Sequence, residues 1–189
     1  HLSVLDKHGN RVSATLSINL PFGSAFVAKG TGVVLNNEMD DFSAKPGEPN
    51  AYGLVGAEAN AIAPGKRPLS SMSPSFVEHN DSVAIIGTPG GSRIITMVLL
   101  GMLEHMDGKP VQQWVDKKRF HHQYLPDLIQ HEPDTFSASE KQTLQAKGHI
   151  LKDVGRHYGN MHAILWDKKL NIVTAASDER GVGQALTYP

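Results

Sequence analysis

Alternating apolar and polar residues mark the start of the chain. Residues 2–6 have the composition of a short strand, and residues 7–10 have that of a turn. Residues 11–20 then place apolar side chains at every second position. These three segments together predict a hairpin at the N-terminal end of the sequence.

The middle of the chain is predicted to be mainly helical after one buried strand. Residues 82–88 form a short, nearly continuous apolar run, which is typical of a strand buried on both faces. Apolar runs predict helices at residues 93–105 and 111–117. A third helix begins at a capping box made by Ser137 and Glu140, and it ends at Gly148.

Strands are predicted again towards the C-terminal end, at residues 149–154, 160–167 and 171–176, with a turn at residues 167–169. The helix at 93–105 is apolar on nearly every side, so it should lie flat against a sheet. The pattern therefore predicts an α+β fold in which helices are layered on antiparallel sheets, with residues 1–189 forming a single domain.

Residues 36–73 interrupt this periodic pattern. They are rich in Gly, Pro, Asn and Ser and show no period of either helix or strand. So long an irregular segment inside a compact domain is usually functional or disordered. Its varied composition favours a functional segment.

Composition excludes several classes of function. The chain has 189 residues, a formal net charge of −1 and no cysteine, so it has no basic field for nucleic acid and no disulfide or thiolate chemistry. Its most apolar stretch, residues 94–103, is too short to cross a membrane. Its 10 histidines show no zinc-ligand spacing. The first residues do not resemble a signal peptide, and we expect the chain to be the C-terminal product of a longer precursor.

Two glycines follow the strand predicted at residues 82–88. Gly90 and Gly91 come just before the predicted helix, where backbone N–H groups can converge on one point. With the positive end of the helix dipole, such a turn can stabilise an anion, as the oxyanion hole of an acyl-transfer enzyme does. A tight turn that needs positive φ explains the same residues, and sequence alone leaves both explanations open.

The irregular segment contains two further polar clusters. Glu38, Asp40 and Asp41 could hold a metal ion or an ammonium group, although their spacing is not that of an EF-hand, and a solvated acidic turn fits equally. Ser70 and Ser71 lie between prolines in a stiff loop and could bind a carboxylate, or simply form a turn. No serine lies in a G-x-S-x-G motif, so no nucleophile elbow is predicted.

Taken together, these segments resemble one family. LNNEMDDFS at residues 35–43, RPLSSMSP at 67–74 and GTPGGSRIIT at 87–96 occur in the order found in the small subunit of γ-glutamyltranspeptidases. The resemblance covers essentially the whole chain and is densest over residues 2–126. It implies the αββα sandwich of the N-terminal-nucleophile hydrolases, with two stacked antiparallel sheets between helical layers.

The resemblance also implies a mechanism. A precursor cuts itself, and the new N-terminal threonine attacks a γ-glutamyl amide such as that of glutathione, forming an acyl-enzyme that passes its acyl group to an amino acid, a peptide or water. That threonine is expected two residues before His1, outside the 189 residues. Gly90 and Gly91 match the oxyanion-hole pair of the family. Ser17 matches a hydroxyl residue close to the nucleophile.

Substrate binding is implied for further residues. Asn19, Glu38 and Asp41 match positions that hold the α-amino and α-carboxylate groups of the γ-glutamyl moiety. Ser70 and Ser71 match serines that hold its α-carboxylate, and residues 46–57, with Tyr52, match a lid loop. The list of expected site residues is therefore Gly90, Gly91, Ser17, Asn19, Glu38, Asp41, Ser70, Ser71 and Tyr52.

The resemblance further implies an obligate partner and a location. A large subunit cut from the same precursor would supply an arginine for the substrate carboxylate, and bacterial members are commonly periplasmic or secreted. No cofactor or metal is expected. Two alternatives stay open: a glutaryl or cephalosporin acylase of the same superfamily, for which Asp41 would have no ammonium partner, and a non-catalytic homologue that serves as a scaffold.

Overall fold

The computed structural model describes residues 1–188 and divides the chain into two compact units. One unit comprises His1–Thr15 together with Met72–Pro189, and the other comprises Leu16–Ser71. The assignment of residues 1–189 to a single domain therefore stays a prediction, and each unit is described here by itself.

The first unit holds all the named strands and α-helices. In chain order these elements are β1 (Leu2–Leu5), β2 (Arg11–Ala14), β3 (Ser75–His79), β4 (Ser82–Gly87), α1 (Ile94–Met106), α2 (Val111–Asp116), β5 (Phe120–His121), β6 (Ile129–His131), α3 (Ala138–Ala146), β7 (Leu151–Asp153), β8 (His162–Asp167) and β9 (Ile172–Ser177). Antiparallel sheets and helices together confirm the predicted α+β class.

A four-stranded antiparallel sheet, ordered β3-β4-β8-β9, forms the centre of this unit. Successive residues of a strand point to opposite faces, and both faces of β4 are buried. Ala84 and Ile86 point into a cluster with α1 and α2, while Val83 and Ile85 point into a second cluster on the other face. Burial on both faces explains why β4 is an uninterrupted apolar run.

The hairpin β1–β2 covers the second face of this sheet. Leu2 pairs with Ala14 and Val4 with Val12, which confirms the predicted hairpin. Leu5 points inward and packs against the cluster that contains Val83 and Ile85. On the outer face of the hairpin, Val4 and Val12 remain about half exposed, at 47% and 49%.

Helix α1 lies against the sheet, as predicted from its apolar composition. Its inner side buries Ile94, Met97 and Val98. Its outer side is also apolar but exposed, and we call this row the α1 stripe: Ile95, Leu99, Leu103 and Met106. A soluble chain rarely leaves such a continuous apolar row uncovered.

A separate three-stranded sheet, ordered β5-β6-β7, contains the one departure from antiparallel pairing among the described strands. Strands β6 and β7 run parallel. Parallel neighbours need a crossover connection, and α3 provides it. The Ser137 hydroxyl accepts a hydrogen bond from the Glu140 backbone amide. The Glu140 carboxylate accepts one from the Ser137 backbone amide, so the predicted capping box is confirmed.

Three buried charged side chains and one that is mostly buried connect the segments around this sheet, and we call them the ion network: Arg119, Glu132, Asp178 and, at 12% exposure, Arg180. Arg119 pairs with Asp178 at 2.5 Å, and Arg180 pairs with Glu132 at 2.8 Å and with Asp178 at 3.1 Å. Glu132 also accepts the Arg119 backbone amide, at 3.0 Å. Burial by itself would raise the pKa of Asp178, but Arg119 and backbone donors outweigh burial and lower it below its ordinary value.

Predicted element ends agree with the structure except at a few places. The strand predicted over residues 11–20 ends at Ala14, since the Ser17 hydroxyl accepts the Asn19 amide and Asn19 has φ of 69°. The strand predicted over residues 149–154 is shortened to β7. Strands β3, β5 and β6 were not predicted.

The second unit, Leu16–Ser71, is built from turns, in agreement with the irregular sequence. It has short 3-10 turns at Glu38–Asp41 and Glu58–Asn60. Isolated bridges hold the rest, including Ser43 with Ala61 and Pro49 with Val55. Side-chain amides supply many of its hydrogen bonds, so its asparagines have a structural role in the unit.

Candidate active site

The glycine pair lies at the end of β4, where the chain enters α1. Gly90 has φ of 148° and Gly91 has φ of 60°, so both adopt backbone conformations that favour glycine. A Cβ atom on Gly90 would lie 2.5 Å from Met97 Cε. Gly91 then opens a 3-10 turn that leads into the helix. The first N–H groups of a helix have no intrahelical acceptor, so this turn can present backbone donors to an anion.

The acidic cluster lies in the second unit, on the 3-10 turn Glu38–Asp41. The amide of Glu38 donates to Asn36 Oδ1 at 3.0 Å, and the Asp40 amide donates to the Asn37 carbonyl at 3.1 Å. These bonds wind the turn tightly enough for Glu38, Asp40 and Asp41 to repel one another. The cluster is therefore a concentrated negative charge, suited to a small cation.

Asp41 shows the effect of that crowding directly. Partial burial, the nearby charge of Glu38 with its hydrogen bond, and the charge of Asp40 raise the pKa of Asp41 to about 6. A free ammonium group would relieve this repulsion by charge-assisted hydrogen bonds. A raised carboxyl pKa in a polar cluster is also a common property of binding sites.

Tyr52 and Asn19 lie in the same neighbourhood. The Tyr52 hydroxyl donates to the Asn19 carbonyl at 2.9 Å, and the Asn19 side chain donates to the Asn37 carbonyl at 3.1 Å. Burial raises the pKa of Tyr52, and the charges of Asp41 and Glu38 raise it further because its hydroxyl lies close to the acidic turn. Four predicted residues, Asn19, Glu38, Asp41 and Tyr52, are thus gathered in one unit.

The segment around Tyr52, which we expect to be a lid, is a turn held together by hydrogen bonds to the Asn50 side chain. The Asn50 side-chain oxygen accepts the amides of Tyr52 and Leu54, both at 3.0 Å. Asp40 accepts the Ala51 amide at 3.2 Å, which ties the lid segment to the acidic turn. The position of this segment is therefore coupled to the residues that carry the negative charge.

Asn60 joins the acidic turn to the serine loop. Its side chain donates to the Asp41 carbonyl at 2.8 Å and accepts the Leu69 amide at 3.0 Å. Leu69 directly precedes Ser70 and Ser71, so one amide side chain fixes the segment on which both serines lie. Sequence reasoning did not select Asn37, Asn50 or Asn60, although the density of asparagine in residues 36–60 was a usable signal.

The expected site residues are thus divided between the units. Gly90 and Gly91 belong to the first unit, and Ser17, Asn19, Glu38, Asp41, Tyr52, Ser70 and Ser71 belong to the second. Ser17 is exposed, and its hydroxyl accepts the Asn19 amide at 2.8 Å.

Comparison with known proteins identifies the family. The gamma-glutamyltranspeptidase family model matches residues 1–188. The chain belongs to the γ-glutamyltranspeptidase family. A solved structure, the T380A mutant of the Helicobacter pylori γ-glutamyltranspeptidase, matches most of this chain. That structure has a TM-score of 0.91 and 45% identity, and the alignment covers 96% of this chain and 99% of that one.

Curated γ-glutamyltranspeptidase relatives are longer than this chain. It is 47% identical to the glutathione hydrolase proenzyme of Pseudomonas aeruginosa over 190 residues, which is 98% of this chain and 34% of that protein. It is 51% identical to the Escherichia coli proenzyme over 150 residues, which is 78% of this chain and 26% of that protein. The chain therefore spans about a quarter to a third of the length of these relatives.

Two further observations concern metal binding and membrane crossing. Over residues 1–188, no three His, Asp or Glu side chains gather closely enough to bind a metal ion. In the same residues, no helix has both the length and the hydrophobicity that a membrane crossing requires.

Proposed function

We propose that this chain is the small, catalytic subunit of a γ-glutamyl acyltransferase and hydrolase. Its substrates would be γ-glutamyl amides such as glutathione, and its acceptors would be amino acids, peptides or water. Support comes from membership of the γ-glutamyltranspeptidase family and from relatives named glutathione hydrolase proenzymes. The observation that carries the proposal is the acidic turn, where Glu38, Asp40 and Asp41 lie close together and the pKa of Asp41 is raised.

The first chemical step would be attack by an N-terminal threonine on the γ-carbonyl carbon of the substrate. The threonine hydroxyl forms the new C–O bond and passes its proton to its own α-amino group, whose pKa of about 8 suits a general base. Negative charge moves onto the carbonyl oxygen. The backbone N–H groups of Gly90 and Gly91 would stabilise that oxyanion.

The second half of the reaction would release and then transfer the acyl group. As the C–N bond breaks, the leaving amine takes the proton held by the α-amino group. An acceptor amine or a water molecule then attacks the carbonyl carbon of the threonyl ester, and the same α-amino group removes its proton. The ester C–O bond breaks, and the α-amino group returns that proton to the threonine oxygen. A lid carrying Tyr52 would limit the entry of water, which favours transfer over hydrolysis.

Specificity for the γ-glutamyl group would come from its two charged ends. Glu38 and Asp41 would hold the α-ammonium, with Asn19 as a neutral hydrogen-bonding partner. Ser70 and Ser71 would hold the α-carboxylate with hydroxyl and backbone donors. Ser17 would lie close to the nucleophile and orient its hydroxyl.

The test is turnover of a γ-glutamyl anilide by the processed enzyme, produced from its complete gene. Release of the aniline, and formation of one covalent adduct per active site with a γ-glutamyl-directed electrophile, are the expected results. The intact mass of the small chain should show that adduct on an N-terminal threonine. A processed enzyme that releases no aniline and takes no adduct would support the non-catalytic alternative.

The surface of the first unit supports the proposal of a large-subunit partner. The α1 stripe and the outer face of the hairpin, with Val4 and Val12, leave apolar side chains exposed in this chain. Both relatives are proenzymes several times longer than the chain, which fits a precursor that is cut into two subunits. We propose that the large subunit covers both surfaces. A periplasmic or secreted location is proposed on the same family grounds.

The acidic turn makes ligand binding depend on pH. We expect the dissociation constant of L-glutamate, which carries the same α-ammonium, to be steady above pH 6 and to rise about tenfold for each unit below it, because Asp41 is then protonated. Calorimetry between pH 5 and 7.5 measures this. Glu38→Gln removes one of the charges that raise the pKa of Asp41, so the midpoint should move to lower pH.

The control for this measurement is Glu48→Gln. Glu48 is an exposed acid that pairs with Lys45, and it belongs to the same unit. Its replacement should leave the midpoint at the wild-type value. A midpoint that is the same in wild type and Glu38→Gln would contradict coupling between Glu38 and Asp41.

A further inference from the structure

Thr88 lies directly before the glycine turn and is completely buried. Its hydroxyl donates to the Pro89 carbonyl at 2.9 Å, and it accepts the Asn160 amide at 3.1 Å. A threonine hydroxyl has one donor hydrogen and two acceptor lone pairs, so it can form both bonds at once. One buried side chain therefore holds backbone groups from two segments at the start of the turn.

The bond to Pro89 fixes the direction of the next amide. A peptide group is planar, and in the usual trans form its C=O and N–H point in opposite directions. The Pro89 carbonyl and the Gly90 N–H belong to the same peptide group. With the carbonyl held by the Thr88 hydroxyl, the Gly90 N–H must point away from Thr88.

We propose that Thr88 is a positioning residue that aims the Gly90 N–H at the oxyanion formed during γ-glutamyl transfer. This inference rests on the proposed function. Oxyanion stabilisation depends on donors that are already aligned before the charge develops. Thr88 supplies that alignment through Pro89 and touches no substrate itself.

The Asn160 side of this connection is held just as firmly. Gly159 has φ of 83°, and a Cβ atom there would clash with the Arg119 guanidinium and lie 3.2 Å from the Thr88 hydroxyl. Arg119, a member of the buried ion network, donates to the Tyr158 carbonyl. The segment that carries the Asn160 amide is thus held in place by packing and by the Arg119 hydrogen bond. Thr88 connects this segment to the glycine turn.

The test compares Thr88→Val with Thr88→Ser in the processed enzyme. Valine keeps the branched shape but has no hydroxyl, whereas serine keeps the hydroxyl. Removing an oxyanion donor outright lowers kcat by about 10²–10³-fold. Misaligning one should cost less, so for Thr88→Val we expect kcat to fall by about 10- to 100-fold, with KM within about twofold of wild type. Thr88→Ser should keep most of the wild-type kcat.

Two controls separate positioning from damage to folding or processing. Active sites are titrated with the γ-glutamyl-directed electrophile, so kcat refers to processed sites only. Thr143→Val on α3 also removes one hydroxyl-to-carbonyl hydrogen bond, to Ser139 at 2.8 Å, and should behave as wild type. An unchanged kcat in Thr88→Val overturns the proposal, and so do equal losses of kcat and thermal stability in the valine and serine variants.

A measurement that does not need activity completes the test. Hydrogen–deuterium exchange of residues 88–93 should be faster in Thr88→Val than in wild type and unchanged in Thr143→Val. If wild type fails to turn over γ-glutamyl anilides, the proposed function is wrong, yet faster exchange would still support Thr88 as the residue that fixes this turn. Unchanged exchange would overturn the role of Thr88 whatever the activity.

Discussion

Replacing Asp41 with asparagine is expected to lower kcat/KM for a γ-glutamyl anilide by about a hundredfold. Asn keeps the size of the side chain and loses the charge that would bind the α-ammonium. Removing one partner of a desolvated charge pair costs about 2–5 kcal/mol, and about 2.7 kcal/mol corresponds to a factor of a hundred. Burial and the neighbouring carboxylates of Glu38 and Asp40 raise the pKa of Asp41, so this carboxyl group is partly desolvated in a region of negative charge.

The informative comparison is with a glutaryl anilide, which has the same acyl chain and carboxylate but no ammonium. Its turnover, if measurable in wild type, should change little in Asp41→Asn. Glu58→Gln, on the neighbouring 3-10 turn, serves as a control for charge in the same unit and should leave both substrates unaffected. Equal losses on both substrates would favour the acylase alternative over a γ-glutamyl enzyme.

The second large effect is expected on stability, from Asp178→Asn. Asp178 has no solvent-exposed side-chain surface, and it pairs with Arg119 and Arg180. Neutralising it leaves the buried guanidinium group of Arg119 and the mostly buried one of Arg180 with one carboxylate, and breaking a buried ion pair typically costs about 3–5 kcal/mol. We expect a correspondingly lower midpoint in urea unfolding of the processed enzyme, followed by fluorescence of the buried Trp114.

A substitution at an exposed ion pair serves as the control for the loss of stability in Asp178→Asn. Glu78 pairs with Arg11 and Lys168, as Asp178 pairs with two cations, but it is half exposed. Glu78→Gln should shift the unfolding midpoint very little, because water screens exposed ion pairs. A shift in Asp178→Asn no larger than that of Glu78→Gln would refute a stabilising role for the ion network.

The difference in stability between wild type and Asp178→Asn should depend on pH in a defined direction. The folded-state pKa of Asp178 lies below its ordinary value, so its stabilising contribution is present above about pH 4, the unfolded value, and is lost as pH falls further. The gap between wild type and Asp178→Asn should therefore narrow below about pH 4. Arg119→Met combined with Asp178→Leu should recover part of the loss, because Arg180 and Glu132 remain paired.

Elements with strong local signals could be predicted from the sequence. Strand β4 is apolar at successive positions because both of its faces are buried, and α3 begins at a capping box that needs only Ser137 and Glu140. The short strands β5 and β6 gave no such signal. They contain two and three residues, and their pairing is decided by neighbours that are distant in sequence.

Strand β3 escaped prediction for a different reason. It lies at the edge of the four-stranded sheet, and its residues include exposed polar side chains such as Glu78 and His79. An edge strand needs less apolar surface than a central one, so its periodicity is weak. Its assignment depends on β4 beside it, which supplies the backbone hydrogen bonds.

The candidate site was predictable where the motifs are local. Glu38 and Asp41 lie on one turn, and Gly90 and Gly91 are adjacent, so their grouping is visible in the sequence. The ion network has no such signature, because Arg119, Glu132 and Asp178 each lie among other charged residues. Only the fold determines which of those charges are buried.

The placement of the first strand has a consequence for the timing of maturation. The Ser3 hydroxyl donates to the carbonyl of His162, 159 positions later, and the His1 ring lies against Gly87. At about 5–20 residues per second, a ribosome needs roughly 10–30 s to make the intervening chain. The contact between Ser3 and His162 cannot form until β8 has emerged. Self-cleavage, if it occurs as proposed and needs this contact, is therefore delayed until β8 has been translated.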